Sequence, residues 1–217
     1  MDTGLRRVQV SYVVIGHGRT PVGQGWGPKI DACDAVIRLW DWDWQDAEDY
    51  GCKYDYGYFE LSPRQLDRFH LHNKRTPTIN WLGGWLKQRD YPLPPNTIVV
   101  DPLPWVRLGL ALGGIGTKGK LTFTRGVVAA AWAIDCLASA GDLIVLVGLD
   151  NVRAGKAISI EEGYPEAYLR TASIGPFKSY TGGVTKYANH DYAIEGPVLA
   201  TLAKRKRVEL AHAQDVW

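Results

Sequence analysis

Two hydrophobic patterns alternate along this chain. Short apolar runs bounded by turn residues predict strands at residues 8–15, 35–40, 54–59, 78–81, Thr97–Val100 and Leu143–Val147. Apolar positions recurring at helical spacing predict helices over residues 62–72, 82–89, 102–112, 124–140 and 193–206. The run Asp142-Leu143-Ile144-Val145-Leu146-Val147-Gly148 has the pattern of a parallel strand buried on both faces. Ser62-Pro63 offers a helix start, with serine as cap and proline in the first turn. Strands alternating with helices predict an α/β fold: a mostly parallel, Rossmann-like sheet with helices on both faces. Residues 110–120 are glycine-rich and read as a flexible loop. Residues 151–189 hold few periodic runs and several Gly, Pro and Tyr, as in a lid or binding loop.

A length of 217 residues suits one domain, taken as residues 1–217, and 46% hydrophobic residues can build its core. The net charge of +2, from 25 basic and 23 acidic residues, makes no electrostatic case for a nucleic-acid or membrane partner. The basic run Lys204-Arg205-Lys206-Arg207 fits a solvated helix C-terminus. Cys33, Cys52 and Cys136 leave at least one thiol unpaired, and their spacing matches neither a zinc site nor a redox pair. No long apolar stretch precedes Arg6-Arg7, so the expectation is a soluble, cytoplasmic protein without a membrane segment.

Three segments carry candidate chemistry. After the first strand comes Gly16-His17-Gly18-Arg19-Thr20, which fits either a turn whose backbone a ligand can approach closely or an ordinary tight turn. It has the spacing of neither the dinucleotide fingerprint nor the P-loop. In Leu121-Thr122-Phe123-Thr124-Arg125-Gly126, Thr124 is a natural N-cap and Gly126 opens the first helical turn. Arg125 opposes the helix dipole there, which fits either an anion between them or a salt bridge. In Asn189-His190-Asp191-Tyr192-Ala193-Ile194-Glu195, the histidine stands at the start of a helix continued by Val198, Leu199 and Leu202. A neutral imidazole at that position can take a proton from a hydroxyl, or serve structure alone.

Trp40-Asp41-Trp42-Asp43-Trp44 alternates at strand spacing and sets three indoles on one face. A buried sheet face and a sugar-stacking face both fit. Asp41 and Asp43 fit either two exposed acids on a loop or a DxD pattern of the kind that holds a metal and a nucleotide diphosphate. His70 and His72 are two residues apart, the wrong spacing for a shared helix face, and read as surface residues.

The ungapped segment from Val14-Ile15-Gly16-His17 to Arg38 resembles the large sialylmotif of the sialyltransferases. Gly16, Gly25, Trp26, Gly27, Ile30-Asp31, Asp34, Val36 and Arg38 carry the likeness. Residues 121–126, with the helix to Cys136 and the strand ending at Gly148, look like the small sialylmotif. His190 followed by Glu195 matches the very small motif, whose histidine is the family's catalytic base. The resemblance implies a GT-A-like domain and an inverting transfer from a nucleotide sugar, by default CMP-sialic acid, with no further cofactor and no metal. His190 would be the base. Gly16, His17, Gly18, Trp40, Thr124, Arg125 and Gly126 would bind the donor. Trp42, Trp44 and Tyr180 would bind a hydroxyl-bearing acceptor.

Several positions depart from the family pattern. His17 and Trp40 stand where the family has nucleotide-contacting asparagines, and Arg125 where it has threonine. No histidine lies between residues 73 and 189 to supply the third motif, and Tyr180 is the nearest replacement. Tyr12 replaces the cysteine that is bridged in the family. Two alternatives stay open: a metal-dependent transferase using Asp41 and Asp43, and a non-catalytic nucleotide- or carbohydrate-binding protein.

Overall fold

A computed structural model of the chain describes residues 9–39, 45–60, 80–84, 97–115, 121–156, 158, 165–166 and 191–217. Its strands are β1 (Ser11–Ile15), β2 (Ala35–Leu39), β3 (Tyr56–Glu60), β4 (Asn80–Gly84), β5 (Thr97–Val100), β6 (Leu143–Val147) and β7 (Glu209–His212). They form one sheet in the order β5-β4-β3-β2-β1-β6-β7, and every neighbouring pair is parallel. The two most apolar runs, β1 and β6, are adjacent and central, with Val13 opposite Val145. From β1 the chain steps outward through β2 to β5, then returns to the other side of β1. The strand order therefore reverses between β1 and β6, and open parallel sheets hold ligands beyond the carboxyl ends of strands at such a point.

Helices cover both faces, as the alternation of side chains in the central strands requires. Val14, Ile37, Ile144 and Leu146 point to one face. There they meet α3 (Leu103–Ala111), α4 (Arg125–Trp132) and the long C-terminal helix Tyr192–Lys206. Val13, Ile15, Val36, Val145 and Val147 point to the other, against α1 (Gly27–Asp31) and α2 (Ala47–Tyr50). Helix α4 is buried all round, from Val127 to Trp132. Its run of alanines lets the C-terminal helix press against it from outside. The remaining short helices are α5 (Asp150–Ala154) and α7 (Ala213–Val216), so the long helix between them is α6.

The sequence-predicted elements shift in places. Residues Leu82–Gly84, expected to open a helix, instead complete β4 beside β3. Two consecutive glycines are poor helix formers, and strand pairing decides the outcome. The helix predicted to reach residue 140 ends earlier. It passes into a π turn over Ala133–Leu137, closed by the Ala138 amide donating to the Ala133 carbonyl at 2.9 Å. Strand β7 is absent from the predicted set because four residues of mixed polarity at a sheet edge give no clear period. The predicted helix over 62–72 lies outside the described residues. The basic run closes α6 as expected: Lys204 to Arg207 are exposed, and Lys206 pairs with Asp135 at 3.0 Å.

Candidate functional site

The first candidate loop leaves β1 at its carboxyl end and is bound at once to β6. Gly16 donates its amide to the Val147 carbonyl and Gly18 to the Gly148 carbonyl, both at 2.8 Å. A Cβ at either glycine would overlap the Gly148 carbonyl oxygen. Gly148 itself has φ +62°, where other residues are strained. The glycines therefore serve a close approach of two backbone segments, which extends the β1–β6 pairing past the strands. Asp150 clasps the loop one turn on, accepting from the Thr20 amide at 3.1 Å and hydroxyl at 2.5 Å. From the other side the Gly16 carbonyl accepts from Gln45 and the Gly18 carbonyl from the Tyr50 hydroxyl, both at 3.2 Å. His17 sits half-buried in this clasp. Gly16→Ala is expected to cost about 1–3 kcal/mol of stability, the usual range for forced overpacking. Chemical denaturation checks it, and an unchanged midpoint would refute the steric account.

The rest of the first motif is scaffolding for that loop. Arg38 is 2% exposed, and burial lowers its pKa to about 10, so it stays charged at neutral pH. Its guanidinium donates to the carbonyls of Tyr50, Gly51 and Lys53 and to Gln45, which reaches on to Gly16. Asp31 accepts from the amides of Cys52 and Lys53, and Asp34 from the Ser11 amide and hydroxyl. Those serine hydrogen bonds hold the Asp34 carboxyl below its usual range. Asp49 accepts from the Gly23 and Gly25 amides. These carboxylates thus tie separate backbone segments together.

The second segment meets the first through Leu149. A Cβ on Gly126 would lie 3.0 Å from the Leu149 side chain, so the start of α4 rests on the residue after Gly148. Thr124 has the extended backbone of an N-cap, yet its side chain makes no capping bond. Its hydroxyl instead points to Glu195 of α6. Glu195 accepts from the Thr124 amide at 2.7 Å and from the hydroxyl at 3.1 Å. Asp191, the N-cap residue of α6, accepts from the Ile115 amide at 2.8 Å, and Ile194 packs against Gly114. The start of α6 is therefore held against both α4 and the loop after α3.

Glu195 is fully buried, and burial raises its pKa to about 7, against the lowering effect of the Thr124 bonds. Its two helix N-termini favour the anion but do not offset desolvation. A carboxyl whose pKa rises on folding binds more protons in the folded state between about 4.5 and 7. Its contribution to stability therefore falls as pH rises through that window. Glu195→Gln should melt above the wild type at pH 8, by an advantage that shrinks as pH falls and is lost near pH 4.5. Thermal melts from pH 4 to 8 test this, and a pH-independent difference would contradict it.

The structure thus gathers Gly16, His17, Gly18, Thr124, Arg125 and Gly126 at the carboxyl edge of the sheet, next to the β1–β6 switch. Trp40, Trp42, Trp44, Asp41, Asp43, Tyr180 and His190 lie outside the described residues. Sequence reasoning did not assign the parts taken by Asp150, Gln45 and Glu195. Only the interval from His190 to Glu195 gave any signal of the last. Among the described residues no three His, Cys, Asp or Glu side chains are grouped to hold a metal ion. No helix there is long and apolar enough to cross a membrane.

Among the solved structures that this chain resembles, two share most of its length. One is a mammalian sialyltransferase, with a TM-score of 0.51 and 14% identity over 93% of this chain and 68% of that one. The chain has the sialyltransferase fold. The other is a mammalian sialyltransferase in complex with Gal-beta-1-3GalNAc-ortho-nitrophenol, with a TM-score of 0.50 and 13% identity over 93% and 69% of the two chains. No family model and no curated protein matches the sequence. The shared fold therefore stands on backbone architecture, with few side chains in common.

Proposed function

We propose that this protein is an inverting glycosyltransferase of the sialyltransferase type, on a GT-A-like domain. The observation that carries it is the meeting of three sialylmotif-like segments at one edge of a sheet with the sialyltransferase fold. Gly16–Gly18, Thr124–Gly126 and Asp191–Glu195 are joined there by hydrogen bonds and packing although up to 179 residues separate them in sequence. The donor is a nucleotide sugar, by default CMP-sialic acid, and the acceptor a carbohydrate hydroxyl. His190 takes the hydroxyl proton as that oxygen forms its bond to the anomeric carbon. The bond from that carbon to the phosphate oxygen breaks, and the nucleotide leaves with the electron pair. Arg125 and the first amides of α4 stabilise the departing phosphate. Trp40, Trp42, Trp44 and Tyr180 supply the aromatic faces for nucleotide and acceptor.

The test is a panel of CMP-, UDP- and GDP-sugars, read by thermal stabilisation, hydrolysis and transfer to a Gal-β1-3GalNAc glycoside. Stabilisation and turnover with CMP-sugars are expected. Preference for UDP- or GDP-sugars with manganese would move the assignment to Asp41 and Asp43. Binding of sugars without any nucleotide response would make the protein a carbohydrate-binding module, a reading that the changes at His17 and Trp40 favour.

A further inference from the structure

We propose that Glu195 is a positioning residue, which ties the donor-phosphate turn at Thr124 to the first turn of α6 so that base and donor keep one geometry. The inference rests on the transferase reading above and adds a role for a side chain outside the reacting groups. Thr124 directly precedes Arg125 at the start of α4, and Asp191, directly after His190, precedes the first turn of α6. Between these two helix starts runs one buried side chain that accepts from both the amide and the hydroxyl of Thr124. Because the hydroxyl is turned to Glu195, Thr124 does not cap its own helix. A cap is worth about 0.5–2 kcal/mol, so the chain forgoes a local gain for a contact between helices 71 residues apart.

Both helix starts are fixed elsewhere too, α4 on Leu149 and α6 by Asp191 on Ile115. Loss of the link should therefore shift the two ends slightly without unfolding either. Small shifts suffice, since a displacement of about 1 Å between reacting groups costs on the order of 10²-fold in rate. The link needs two polar atoms that reach Thr124, and it does not need a charge. Glutamine supplies both: its oxygen accepts from the amide and its nitrogen donates to the hydroxyl oxygen.

The experiment compares Glu195→Gln, Glu195→Ala and Thr124→Val in the full chain, measuring kcat, donor KM, CMP affinity and melting temperature at pH 8. Glu195→Gln should keep kcat within about threefold of wild type. Glu195→Ala and Thr124→Val should lower it about tenfold or more while CMP affinity changes less than about threefold. Unchanged kcat in folded Glu195→Ala overturns the proposal. So does a Glu195→Gln as impaired as the alanine variant, which would mean that the charge is used. Equal losses of CMP affinity and turnover would make Glu195 part of the donor site alone. If Glu195→Ala does not fold, Thr124→Val decides. A wild type with neither CMP binding nor turnover defeats the transferase reading instead. The link is then judged by melting the Thr124→Val/Glu195→Ala double variant, and additive single effects overturn it.

Discussion

Replacing His190 with alanine is expected to lower turnover by about 10²–10⁴-fold, the usual contribution of a general base, while CMP affinity stays nearly unchanged. On the proposed mechanism the proton that His190 removes belongs to the acceptor, so its loss should leave donor binding alone. The residue lies next to Asp191, the N-cap residue of a 15-residue helix whose start is bonded to α4 and to the loop at Ile115. A base carried there would have a support bonded directly to the turn at Thr124, the proposed donor side. Single-turnover rates and calorimetric CMP titration of the variant check the expectation. Parallel losses of affinity and rate would instead make His190 a nucleotide contact.

Arg125→Ala should be far more damaging than Asp43→Ala, and activity should persist in EDTA. A departing nucleotide monophosphate carries less charge than a diphosphate, so helix-end amides and one guanidinium can stabilise it. Arg125 is the first residue of α4, where the amides of the first turn have no partner within the helix. Removing one donor to a developing oxyanion costs about 10²–10³-fold. Initial rates of the two variants with and without EDTA decide the matter. Activity abolished by the chelator and restored by manganese would transfer the phosphate to a metal at Asp41 and Asp43.

The elements that were legible in the sequence are those with the strongest hydrophobic period. β1 and β6 are runs buried on both faces, α4 and α6 are long amphipathic or apolar stretches, and each lies within two residues of its predicted start or end where the pattern is regular. The exceptions are the starts and ends set by neighbours. The strand predicted from residue 8 begins at Ser11, whose amide and hydroxyl are held by Asp34. The helix predicted to residue 140 gives way to a π turn where Asp135 meets Trp105 and Lys206. β4 overrides the helical period at Leu82 because its partners on both sides are strands.

For the site, sequence by itself singled out the segments that the fold then brings to one edge of the sheet, because glycines and a cap residue stand out beside periodic runs. Sequence could not assign what those residues touch. Gly16 and Gly18 read as space for a ligand, yet the backbone of Gly148 occupies that space. Thr124 read as a cap, yet its hydroxyl serves Glu195 from another helix. Asp31 and Asp34 read as motif acids, yet each holds backbone amides of a distant segment. Periodicity is a local property of the chain and survives in any fold that buries one face. A hydrogen bond between residues 71 or 130 apart exists only once the sheet order has brought their strands and helices to the same edge. The tertiary structure alone therefore decided which polar groups meet, and with them how the carboxyl edge of the sheet is assembled.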